Sequence, residues 1–265
     1  MTIYLYFDKL LNIFLCIFNF ISRVYSTINI KIRKTIKRNK VLRTNKEECF
    51  ILGNGPSLKD CNLSLLQERD TFTVNFFYKQ PNIEFESTYF VAIDQNFYNI
   101  PEYKEYIAEL YKKYHKMKFI LKYTRAFEKF HFDEQRTFYT YAKQFQYGDY
   151  VSCDMTKNMT ACINVVLQCI QLAIFMGYKK IYLLGCEFSQ YATLTSQHAY
   201  DDYPGKDRDG SMGSYARWYS MAHFHNYALR KYADQRGIDI INLTPGSLID
   251  AYKRDTFENI VGNRK

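Results

Sequence analysis

Paired cysteines are missing from this sequence. Its seven cysteines (Cys16, Cys49, Cys61, Cys153, Cys162, Cys169, Cys186) are odd in number and widely spaced, and no CxxC pair occurs. That excludes a disulfide framework and a paired-thiol zinc site, and it reads as buried thiols in a reducing compartment. A long apolar run free of charge is missing too. The run "LLNIFLCIFNFIS" at 10–22 contains Asn12 and Asn19, follows Asp8 and Lys9, and ends at Arg23, whereas a membrane-crossing helix needs about 20 consecutive apolar residues. The start is not basic and no small-x-small site follows the run, which argues against a cleaved signal peptide. Tryptophan is almost absent, one residue against 25 tyrosines and 21 phenylalanines; the abundance of the other aromatics suits a biased coding composition as well as sugar binding.

Net positive charge is absent from most of the chain, although the whole carries +9. Residues 1–46 hold ten basic side chains (Lys9, Arg23, Lys31, Arg33, Lys34, Lys37, Arg38, Lys40, Arg43, Lys46) against the single acid Asp8, which accounts for the entire surplus. The remaining 26 basic and 26 acidic residues cancel. A neutral globular region is a poor electrostatic partner for a phosphate backbone, so nucleic acid is excluded as a ligand. The basic, apolar N-terminal segment predicts instead a helix lying in the interface of an anionic membrane, each cation worth on the order of 1 kcal/mol near the surface. If the helix does span, the cations after the apolar run place the rest of the chain on the cytoplasmic side.

What is present is enough apolar residue, 47% of 265, for one full-size core. Short apolar runs at 49–53, 70–77, 87–94, 118–123, 179–188 and 238–243 read as strands. Helical spacing is expected near 101–114, over 158–177 with Gly177 as its stop, and near 215–236 with Gly237 after it. Strands separated by helices predict an α/β fold, a Rossmann-like, doubly wound, mostly parallel sheet. The expected organisation is a membrane-associating segment over 1–46 and one catalytic domain over 47–265, with a lid-like insertion at about 189–214, long for a simple connection.

The first strand runs into Gly53-Asn54-Gly55-Pro56-Ser57-Leu58. This is neither GxGxxG nor a Walker motif, since no GK[ST] follows. At the carboxyl end of a central strand such a loop sits where α/β folds bind ligands. Its glycines would leave room beside bare backbone, and its amides, with Asn54 and Ser57, could donate to an anionic or nucleotide group.

"ILGNGPSLKD" resembles the opening of the bacterial sialyltransferases that decorate lipooligosaccharide outer cores. "FTVNFFY" at 72–78, "MGYKKIYLLGCEFSQ" at 176–190 and "YALRKYADQRGIDIINLTPGSLI" at 227–249 are similar to further segments of that family. The glycine motif is also shared with flagellin nonulosonate transferases and archaeal hydroxymethylpterin pyrophosphokinases. The resemblance implies an inverting, metal-independent transfer of a nonulosonate from a CMP-sugar to a glycan or glycolipid acceptor at the cytoplasmic face of the inner membrane. It implies no separate cofactor and association into homo-oligomers.

The nucleotide residues so implied are Gly53, Asn54, Gly55, Pro56, Ser57, Asn75, Asp94, Gly185 and Ser247. Tyr191, Tyr200, Tyr203, Lys157 and Asn158 would contact the leaving group or donor sugar. An ungapped match puts Ser220 where the family has its histidine base. His223 stands one helical turn on and is the leading candidate, with His225 and His198 behind it. Two other readings stay open: Mg²⁺-dependent phosphoryl or pyrophosphoryl transfer through Asp94, Glu187 and Asp201 or Asp202, and a membrane-bound scaffold without catalysis.

Overall fold

The structure is a computed structural model that describes residues 2–80, 83, 85–124, 132–192, 199 and 211–262. In chain order the elements are α1 (Thr2–Ile28), α2 (Ile30–Lys37), β1 (Glu48–Leu52), β2 (Thr71–Val74), β3 (Tyr89–Ala92), α3 (Asn96–Asn99), α4 (Pro101–Lys113) and β4 (Lys118–Lys122). There follow β5 (Thr137–Thr140), β6 (Ala142–Gln144), β7 (Met159–Thr160), α5 (Val165–Met176), β8 (Lys180–Leu184), α6 (Met212–Asp234), β9 (Asp239–Asn242), β10 (Lys253–Arg254) and α7 (Phe257–Gly262).

Eight strands form one sheet in the order β10-β9-β8-β1-β2-β3-β4-β5, and every neighbouring pair is parallel. The expected α/β fold is thus the observed one. From β1 the chain builds outward through β2 to β5, then returns to add β8 on the other side of β1. That reversal between β1 and β8 makes the ends of these two strands the switch point, where doubly wound sheets open a ligand crevice.

Both faces of the sheet are covered, and the strands show it residue by residue. Cys49 and Ile51 of β1, with Ile181 and Leu183 of β8, join the core beneath α5 and α6. Their neighbours Phe50, Leu52, Tyr182 and Leu184 join the opposite core with Leu58, Leu66 and Phe77. Farther along, Phe90, Phe119 and Leu121 pack under Ile107 and Leu110 of α4. An apolar residue at every position is what a doubly covered parallel strand requires.

Several boundaries differ from expectation. The central helix starts at Val165, because Met159–Thr160 pair with β6 as a separate two-stranded sheet and the Asn164 side chain caps the Leu167 amide at 3.0 Å. It ends at Gly177, φ +107, as the spacing predicts. The second strand stops at Val74, since Asn75 turns into the left-handed region at φ +49. The N-terminal helix is longer than the apolar run, from Thr2 to Ile28, and Cys16 on it is exposed, against the expectation of buried thiols.

Ile51 is fully buried at the centre of the sheet. Its truncation, Ile51→Ala, is expected to lower the unfolding free energy by about 2–5 kcal/mol, measured by denaturant titration of the full chain in detergent.

Candidate active site

The loops that leave β1 and β8 lie against each other, and three glycines make that approach possible. A Cβ on Gly53 would sit 2.2 Å from the Gly185 carbonyl oxygen, and one on Gly55 would enter the Glu187 carboxylate at 1.3 Å. Gly185 has φ +66, and a Cβ there would meet the Leu58 side chain at 2.4 Å. The glycines therefore serve loop-against-loop packing, where the sequence suggested free space for a ligand.

The loop amides are accounted for in the same way. Gly53 N–H donates to Leu184 O at 2.8 Å and Gly55 N–H to Gly185 O at 2.9 Å. The Ser57 amide donates to Glu187 Oε1 at 2.8 Å. These three donors are thus engaged inside the protein, which corrects the expectation that they face an anion. Behind them, Thr244 Oγ1 accepts from the Cys186 amide at 3.0 Å and the Ser247 hydroxyl donates to Cys186 O at 2.7 Å.

In front of this lock a cleft of about 550 Å³ opens over the ends of β1, β2, β3, β4 and β8, a size suited to a nucleotide-scale ligand. Six of the nine predicted nucleotide residues line it, Gly53, Asn54, Gly55, Asn75, Asp94 and Gly185, together with Glu187 of the Mg²⁺-dependent alternative. Asn54 donates from Nδ2 to Val74 O at 3.3 Å, while its Oδ1 and that of Asn75 are buried with no hydrogen-bond partner. Orphaned buried acceptors carry a desolvation cost that a ligand's O–H or N–H groups would relieve. Asp94, whose Oδ1 accepts from the Asn96 amide at 2.9 Å, adds a third acceptor on the same rim.

Cationic character comes from elsewhere in the lining. Lys122, at the end of β4, faces the cleft with the first turn of α5, residues 164–167, the positive end of that helix dipole. Burial, helped by Lys143, lowers the Lys122 pKa, and Asp94 opposes the change. The Tyr98 hydroxyl donates to Ala92 O at 2.7 Å and accepts from the Lys122 amide, holding the ends of β3 and β4 in register. Tyr215, Trp218 and Tyr219 of α6 supply an aromatic wall.

A second, shallower cleft shares Tyr219 with the first and is lined by Tyr191, His223 and Asp250. His223 Nδ1 lies 3.8 Å from Asp250 Oδ1, and its ring stands edge-on to Phe188 with centroids 5.0 Å apart. The Tyr227 hydroxyl donates to the other Asp250 oxygen at 2.7 Å. Phe188, at φ +58, lines the first cleft and touches His223 with its ring.

The remaining predicted residues lie elsewhere. His225 is buried against Gln171 at 3.1 Å, and burial lowers its pKa to about 4; it is a neutral core residue with no access to a substrate. Asn158 is buried, accepting from the Lys143 amide at 2.9 Å and donating to Ser22 Oγ at 2.8 Å. Lys157 is exposed and paired with Asp154 at 3.2 Å. Ser247 is spent on Cys186 and on Asn242, at 2.9 Å. Pro56 opens a short 3-10 turn and Ser57 follows it, both behind the cleft. His198, Tyr200, Tyr203, Asp201 and Asp202 lie outside the described residues. Among the described residues no three His, Cys, Asp or Glu side chains gather as a metal site.

Lys122 and the aromatic wall were not foreseen. A lysine ending the run "KFILK" at a strand terminus was the available signal.

No family model matches the chain, and no curated protein sequence matches it. Among solved structures it is similar to the sialyltransferase CST-II in complex with trisaccharide acceptor and CMP, at 19% identity and a TM-score of 0.47, covering 78% of this chain and 85% of that one.

The His225 pKa is depressed from 6.5 to about 4, so between those values the unfolded chain binds the extra proton. Its contribution to stability is full above pH 6.5 and lost as pH falls toward 4, about 3 kcal/mol in all. Urea titrations at pH 4.5 and 7 should show a smaller loss on acidification for His225→Gln than for the parent chain.

Proposed function

We propose that the chain is a membrane-associated glycosyltransferase that moves a nonulosonate from a CMP-sugar to a hydroxyl of a surface glycan, with inversion. The observation that carries this reading is the cleft itself. Six of the nine nucleotide residues implied by the sequence resemblance meet at the sheet's switch point, and two of them, Asn54 and Asn75, carry buried side-chain oxygens with no hydrogen-bond partner. Those acceptors suit the hydroxyls of a ribose and the amino group of a cytosine. The phosphate would lie toward Lys122 and the positive end of α5, where negative charge develops as CMP departs.

His223 is the general base in this reading. Asp250, with Oδ1 3.8 Å from Nδ1, leaves the other ring nitrogen as the one that takes the hydroxyl proton. The acceptor oxygen then attacks the anomeric carbon as the bond to the CMP phosphate breaks. The charge on the leaving group is met by the protein, so transfer is expected to proceed in EDTA. Tyr191, packed at a tilt against Tyr219 with ring centroids 4.8 Å apart, bounds the acceptor side.

The test is calorimetry on the full chain in detergent with CMP, then ATP, each with Mg²⁺ and with EDTA. CMP binding unchanged by EDTA is the expected result. ATP binding that requires Mg²⁺ would shift the reading to phosphoryl transfer, and binding of neither would leave a scaffold. Removing the charge with Lys122→Ala should weaken CMP about 10- to 100-fold, the scale of a charge-assisted hydrogen bond.

His223→Ala should leave CMP affinity within about twofold and reduce transfer by roughly 10²–10⁴, the usual contribution of a general base. An unchanged rate would remove His223 from the mechanism.

A further inference from the structure

The N-terminal helix is amphipathic in reverse. The side chains it turns toward the protein are polar: Asn19 and Ser26 are buried, and Ser22 accepts from Asn158. Asn19 makes a two-way bond with the Phe145 backbone, donating to its carbonyl and accepting from its amide, each at 2.8 Å. Ser22 donates to Lys143 O at 3.3 Å, and Phe18 packs on Phe145 with ring centroids 5.1 Å apart. The side chains turned away are apolar: Phe7, Leu10, Phe14, Ile17 and Ile21 are all more than half exposed.

We propose that α1 lies flat in the surface of an anionic bilayer, its outer face in the acyl boundary, while Asn19 and Ser22 bolt it to the strand β6 region. The helix does not cross. Cys16 already hydrogen-bonds Tyr147, so at most the 14 residues from 2 to 15 lie ahead of the body, about 21 Å at 1.5 Å per residue. That is short of the roughly 30 Å hydrocarbon core, and Asp8 and Lys9 interrupt it.

Charge selects a bilayer over a second copy of this chain. The apolar face leads into α2 and the turn after it, where Arg33, Lys34, Lys37 and Lys40 are exposed and Ile32 and Ile36 face inward. Two copies joined in parallel through α1 would set these cations against each other, whereas phospholipid headgroups neutralise them. The bolts make the attachment rigid, so the sheet is held at one angle to the membrane. This inference does not depend on the chemistry in the cleft.

The test replaces Leu10, Phe14, Ile17 or Ile21 by tryptophan, one at a time, in full-length protein carrying Trp218→Phe. Depth is read from quenching by brominated lipids in phosphatidylcholine–phosphatidylglycerol vesicles. A flat helix puts the four probes at one depth, just below the headgroups, with weaker binding at high salt and on phosphatidylcholine alone. A gradient approaching 16 Å from residue 10 to 21, the rise of a perpendicular helix, would overturn the proposal, as would unquenched probes in a concentration-dependent dimer. A further variant, Asn19→Leu, should keep vesicle binding and lose hydrogen-exchange protection at the Phe145 amide. Unchanged protection there would show that the bolt does not exist.

Discussion

One hydrogen bond, from the Ser57 amide to the Glu187 carboxylate, joins the two loops on which the candidate site depends. It crosses the switch point of the sheet, tying the end of β1 to the end of β8. Everything near it is shaped to allow the contact: glycine at 55 because the carboxylate occupies the Cβ position, glycine at 53 and 185 because the backbones touch. The strap at Thr244 and Ser247 holds the β8 loop from behind. A half-buried carboxylate that accepts a backbone donor removes that donor from the surface of the cleft. The cleft is therefore defined by what the lock leaves over, which is acceptors on the β1–β3 side and positive charge on the β4–α5 side.

This division of polarity gives the cleft a direction. A ligand with donors at one end and an anion at the other would bind in one orientation, since the reverse would set its anion against Asp94 and the orphaned amide oxygens. The aromatic wall on α6 runs from the first cleft to the second through Tyr219. Phe188 links the two as well, because its ring touches both Tyr219, at 4.5 Å, and His223. Its left-handed backbone is unusual for a bulky residue.

Much of the sheet was legible because most of its buried parallel strands are apolar runs and the central helix α5 ends on Gly177. Runs such as "CFIL" and "IYLL" admit few other readings: the first gave a strand within one residue of its expected bounds, while the second stops at Leu184, four residues short of its expected end, where Gly185 turns at φ +66. Short edge pieces such as β5 and β10 carry no such signal, since their pairing is set by neighbours distant in sequence. Within the site, the polar residues behaved in two ways. Asn54, Asn75 and Asp94 reach the cleft, while Asn158 and Ser247 are consumed by backbone groups whose positions no local pattern reveals. His225 differs from His223 by two residues, enough on a helix to turn it from a solvent-facing edge into the core. The spacing of Asn12, Asn19, Ser22 and Ser26 was visible in the apolar run, but a polar stripe reads as an interruption until the surface that it bonds to is known.

The bond between Asn19 and Phe145 joins positions 126 residues apart, and that separation has a consequence in time. During synthesis at about 5–20 residues per second, some 6–25 s pass between the appearance of the helix and that of its polar anchor. Through that interval the polar stripe of α1 lacks its partner in the body of the protein, and its apolar side chains meet whatever is nearest the ribosome. The order of events is thus written into the contact: the helix finds its outer surroundings first, and the body of the protein is assembled onto it afterwards.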